Sequence, residues 1–141
     1  MDNSTEKILM VLKSNFMKEK ELYFEILKLA NDFNNNIDFS PVDFLNYLSK
    51  RMEIEDKIKE IEDMISEEKD FWIKNKAVIR DSMLKQELSG VLKDLKDVMA
   101  KIVKLDGEIA KNMKIKGITL NNSSIKTVDM KRAINSYKKN K

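Results

Sequence analysis

Apolar residues recur along this chain at intervals of three and four, the period of a helix face, in three long stretches separated by polar breaks. In the first stretch Leu9, Leu12, Phe16, Tyr23, Ile26, Ala30 and Phe33 form one seam, which only Glu19 interrupts. Asn3 followed by Glu6 reads as a capping box at its start. The Asn- and Asp-rich segment 31–38 ends it, because these side chains compete for backbone hydrogen bonds and favour turns. Ser40 and Pro41 open a second helix: Ser caps free amides and Pro suits the first helical position. Along it Phe44, Tyr47, Arg51, Ile54, Ile58, Ile61, Ile65 and Trp72 share a stripe about 100° wide. Leu45, Leu48 and Met52 broaden its first half into an arc that can touch two neighbours. Glu53 with Lys57 and Glu55 with Lys59 read as solvated pairs on the outer face.

The second turn falls within DFWIKNKAVIRD, residues 70–81, where no Gly or Pro marks it. Beyond it Leu84, Leu88, Val91, Leu95, Val98, Ile102, Leu105 and Ile109 repeat without a fault, a coiled-coil-like seam widened by Leu92, Met99 and Met113. Gly90 and Gly107 each cost this helix about 1 kcal/mol relative to Ala, so they either admit another chain closely or are simply tolerated. Three helices of about 30 residues are each about 45 Å long. The pattern predicts an all-α protein, an elongated antiparallel three-helix bundle running up-down-up over residues 1–116.

Residues 117–141 read differently. ITLNNSS is loop-like, and SIKTVDMKRAINSY reads as a short C-terminal helix or flexible tail. A helix of that length is marginal alone in water, so it needs a surface to fold on. Its apolar positions, Ile118, Leu120, Ile125, Val128, Met130, Ile134 and Tyr137, are the predicted partner-binding residues.

Composition agrees with long helices: of 141 residues, 36% are charged and 42% apolar, with 3 Gly and 1 Pro. The absence of Cys and His removes disulfides, thiolate nucleophiles, imidazole bases and the usual zinc and haem ligands, so neither a cofactor nor a metal is expected. The longest aliphatic run, ILMVL at 8–12, is far short of the roughly 20 residues that span a bilayer. MDNSTEK lacks the features of a secretory signal, so a cytoplasmic protein without stable membrane insertion is expected. The net charge of +3 is uneven: residues 117–141 carry six cations and Asp129, or +5, which leaves −2 for the first 116. Yet 24 of the 27 cations are Lys, and the tail has one aromatic, Tyr137, whereas nucleic-acid readers favour Arg forks and stacking platforms. Nucleic acid is not an expected partner.

Arg51 is the charge that stands out on the second seam, as Glu19 does on the first. Folding symmetrically about Ile37 places position 19 near 55 and 23 near 51, within about one turn of bringing Glu19 and Arg51 together. They are expected to form an ion pair that sets register, with Tyr23 close by; the alternative is that both side chains reach out to water.

KEKELYFEILKLAND at 18–32, DFLNYLSKRMEIEDKIKEIE at 43–62 and ELSGVLKDLKDVMAKIVKLDGEIAKNM at 87–113 together resemble the FlgN-like flagellar export chaperones, a family that also looks akin to the FliT type. The resemblance extends loosely over residues 5–115. It implies a non-enzymatic cytosolic protein that holds late flagellar subunits, of the hook-filament junction or cap kind, before passing them to components of a type III export apparatus. It also implies that the C-terminal part grasps the client, which maps here onto Ile118 to Tyr137, although the basic character and NNSS break of this tail depart from the family. The chain itself is expected to be a monomer or weak homodimer.

Two other readings stand beside it. One is a coiled-coil adaptor or scaffold that oligomerises through the third seam. The other is an enzyme, since FLNYLSKRMEIEDKI also resembles the first helix of the helical chorismate mutases. That fold needs a second cation about three turns after the Arg, where this chain has Ile61 and Glu62, and a carboxylate there opposes binding of a dianion. No catalytic residue is assigned.

Overall fold

The computed structural model describes residues 3–115, which form four helices and, among the described residues, no strand. Helix α1 spans Asn3–Asn34, α2 Pro41–Met64, α3 Ser66–Asn75 and α4 Met83–Ile115. Residues 117–141, assigned above to a separate basic segment, lie outside the described residues. Asn3 is already inside α1 and does not cap it.

The first turn forms where the Asn and Asp residues place it. Ser40 Oγ accepts from the Asp43 amide at 3.2 Å, and the Asp43 carboxylate accepts from the Ser40 amide at 2.9 Å, closing a capping box ahead of Pro41. The predicted second helix is divided. Ile65 sits at φ −105° and ψ 16°, outside the helical region, and separates α2 from α3. The amide-to-carbonyl bonds nevertheless continue across it, from Ile65 to Ile61 at 3.0 Å and from Lys69 to Ile65 at 2.9 Å. No Gly or Pro lies at the break. Ile65 is instead held by packing, 1% exposed against Phe16 and Trp72. The second turn, after Asn75, closes through Asn75 Nδ2 on the Phe71 carbonyl and Lys85 Nζ on that of Ile79. Ser82 Oγ then accepts from the Lys85 amide at 3.1 Å and starts α4.

Polar contacts reveal the direction of α1 against α4: Lys13 bonds Glu87, Lys20 bonds Asp94 and Asn34 bonds Glu108. The partner's number rises in step each time, so the two helices run parallel in one register. Helix α2 runs the other way, with Phe33 stacked on Tyr47 at 4.5 Å and Ile26 packed with Ile58.

Three apolar clusters result. Leu9, Leu12, Phe16, Ile65, Trp72, Leu88 and Leu95 form one; Ile26, Ile58, Val98 and Ile102 the next; and Ala30, four aromatic rings, Leu48, Leu105, Ile109 and Met113 the last. The faultless third seam is therefore consumed inside the chain, with Leu88, Leu95, Val98, Ile102, Leu105 and Ile109 all buried. Gly90 and Gly107 have open space where a Cβ would stand, so neither serves a close approach within the described residues.

Candidate functional site

Arg51 is buried, 3% exposed, near the last and most aromatic cluster. Its guanidinium makes a fork on Asp106, Nη1 to Oδ1 at 2.5 Å and Nη2 to Oδ2 at 2.8 Å. Nη1 also donates to the Tyr47 hydroxyl at 2.9 Å, and Nε to Glu55 Oε1 at 3.1 Å. Burial opposes the guanidinium's charge, but the bond to Asp106 and the neighbouring Tyr47 raise its pKa above the ordinary value. Burial likewise pushes the Asp106 carboxyl up while Arg51 draws it down part of the way. Tyr47 is raised to about 12, chiefly by burial. All three guanidinium nitrogens are thus spent within the fold, and the carboxylate-binding cation of the mutase-like reading is not presented to a ligand.

The expected Glu19–Arg51 pair is corrected by this geometry. Glu19 lies opposite Glu62, two helical turns past the position that symmetric folding about Ile37 assigns to it, so Arg51 falls out of its reach. Glu62 in turn holds Lys69 at 2.7 Å. Buried to 2% exposure, Glu19 is pushed up from 4.5 to about 8, by desolvation first and by Glu62 second, with Lys69 opposing. It shares a hydrogen bond with Glu62 as a carboxylic acid, while its Oε1 has no hydrogen-bond partner among the described residues. Tyr23 does lie nearby and rises to about 12 through burial, Glu19 and Glu62.

Glu55, expected as a solvated charge, is a second correction: it is buried beside Arg51. The spacing of apolar residues does not single out Asp106, although a signal exists. Leu92, Met99 and Met113 widen the third seam as one row at seven-residue intervals, and Asp106 is the missing member of that row. A lone acid there is the partner for a lone Arg on the facing seam.

An accessible concavity opens at the tip of the molecule, where the 35–40 loop meets the last turns of α4. It encloses about 200 Å³ and is lined by Phe33, Asn34, Asn36, Ile37, Phe39, Ile109 and Asn112. The asparagines are tied together, Asn112 Nδ2 to Asn34 Oδ1 at 2.8 Å and Asn34 Nδ2 to Glu108 at 3.3 Å. Of the lining residues Ile37 is 80% exposed. The sequence hint is the placing of Ile37 and Phe39 inside an otherwise polar turn.

Of the broad arc on α2, Leu48 is buried, and Met52 is half-buried against the same cluster as Leu48. The predicted partner-binding residues Ile118, Leu120, Ile125, Val128, Met130, Ile134 and Tyr137 lie outside the described residues. Among the described residues no three His, Cys, Asp or Glu side chains gather as a metal site, and no helix is long and apolar enough to cross a membrane. Comparison with protein-family models, with curated proteins and with solved structures finds no match to the chain.

Proposed function

We propose that the chain is a cytoplasmic, non-enzymatic export chaperone of the FlgN-like kind. In this reading α1, the joined α2 and α3, and α4 act as three rods of an elongated bundle. The bundle holds a late flagellar subunit of the hook-filament junction or cap type and delivers it to the export apparatus. The observation that carries the reading is the apolar tip concavity beside the final described turn of α4. In this reading the tip and the apolar positions from Ile118 to Tyr137 together hold an amphipathic client helix.

The test is affinity purification of the full chain from its source cell, followed by mass spectrometry of what it retains. Flagellar junction or cap subunits are expected, and they should be lost both on truncation after Gly117 and in Ile37→Asp, which alters an exposed side chain and leaves the core intact. A partner set without flagellar subunits would sink the proposal in favour of the adaptor reading. So would client capture indifferent to both changes.

A further inference from the structure

The outward face of α4 is lined with lysine. At about 100° per residue Lys93, Lys96, Lys104, Lys111 and Lys114 fall within an arc of about 80° that holds no acid, and all five are exposed. None of them forms an ion pair among the described residues, although Asp97 and Glu108 stand four residues after Lys93 and Lys104. Lysine ahead of the acid is the weaker order for such a pair. Ala100 and Gly107 occupy the middle of the row, seven residues apart, and a Cβ at Gly107 would meet nothing within 4 Å. No side chain longer than a methyl stands there, so another helix can lie close between the lysines.

The outward face of α2 carries the opposite charge. Glu53, Asp56, Glu60 and Asp63 are exposed within an arc of about 80° that holds no cation. Their intervals of three, four and three match those of Lys104, Gly107, Lys111 and Lys114, and this order of intervals reads the same from either end. Laid along each other in either direction, the two rows set acids against lysines. The flanks agree with this. Lys57 and Lys59 stand on opposite sides of the acidic row, whereas the lysine row has Glu108 on one side and the uncharged Val103 and Ala110 on the other. Glu108 then meets Lys57 when the helices run antiparallel and Lys59 when they run parallel.

We infer that the lysine face of α4 receives the acidic face of α2 from a second copy of the chain. Because the two faces lie on different helices, the contact is heterologous, and each added copy leaves one face of each kind open. Exposed charges contribute little singly, so the association is weak and is held by the row as a whole. Salt removes it, since the screening length falls from about 30 Å at about 0.01 M to about 3 Å at about 1 M. The contact uses neither the α4 seam nor the residues lining the tip, and it does not rest on the chaperone proposal.

Sedimentation velocity of the full chain over a concentration series should show mass rising past that of a dimer at about 0.01 M ionic strength and a monomer at about 1 M. Glu60→Lys with Asp63→Lys should weaken association about tenfold, and so should Lys104→Glu with Lys111→Glu. An equimolar mixture of these two variants should associate again, because each reversed face then finds the other. Glu21→Lys with Glu25→Lys makes the same change in net charge on exposed positions of α1 and should leave association within about twofold of the parent. Circular dichroism should show every variant folded. The full chain contains no Cys, so single cysteines read the contact directly. On mild oxidation Gly107→Cys should link to Glu60→Cys in an antiparallel pairing, or to Asp56→Cys in a parallel one, and not to itself. A chain that stays monomeric at low salt overturns the inference, as does association that stops at a dimer. So does a loss confined to one of the two reversed faces, an equal loss in the α1 variant, or a Gly107→Cys chain that links to neither acidic position.

Discussion

Arg51 holds two carboxylates and a phenol in a space nearly closed to solvent, and removing it strands those groups. Arg51→Ala is expected to destabilise the fold by about 3–5 kcal/mol in urea unfolding, since an uncompensated buried charge costs far more than the pair gains. Arg51→Met with Asp106→Leu and Glu55→Leu should recover most of that loss. A double-mutant cycle should show strong coupling between Arg51 and Asp106 and none between Arg51 and Glu19. Glu19 bears on pH instead. Its folded value of about 8 exceeds its ordinary 4.5, so between these limits the folded chain keeps a proton that the unfolded chain has released. Stability contributed by Glu19 is full at the acid end of that window, falls as pH rises through it, and levels off above about 8. Glu19→Gln should flatten this dependence and melt higher than the parent at about pH 9, measured by circular dichroism. That Glu19 and Arg51 interrupt their seams is legible from spacing alone. Their partners are not, because a partner depends on how far one helix slides along another, and the turn does not centre where symmetry puts it.

At the scale of elements, local chemistry is the better guide. Ser40→Ala removes one side of a closed capping box and should cost about 1 kcal/mol. Gly90→Ala adds a methyl into open space and should stabilise the chain by about 1 kcal/mol, raising the urea midpoint without changing the slope. Both effects follow from residues whose role is settled within one turn of helix. The division of the second helix at Ile65 has no such mark, since DMISEEK contains neither Gly nor Pro. Its cause is the packing of Ile65 and Trp72 against Phe16 from a distant helix. Glu55 escapes local reading for the same reason: its spacing to Lys59 fits a surface pair, but a buried Arg one turn earlier claims it.

For the whole molecule, the three apolar clusters among the described residues draw on positions from Ile8 to Met113. A chain ending after Gly117 should therefore keep the helical signal of α1 to α4 and unfold in one cooperative step, while the client capture proposed above is lost. The helical class, the three seams and most of the core follow from the periods at which apolar residues recur, because a helix face is defined by its own spacing, and the first turn follows from its Asn, Asp, Ser and Pro residues. Tertiary structure decided what spacing cannot carry: the sliding of α2 against α1 that sets Glu19 on Glu62, the reach of Arg51 across to Asp106, and the apolar tip. It also decided which of the apolar rows meet inside. The α4 seam, the most regular in the chain, is buried, whereas the row through Met10, Met17 and Phe24 remains on the surface, because a helix packed against its neighbours turns only one broad face inward.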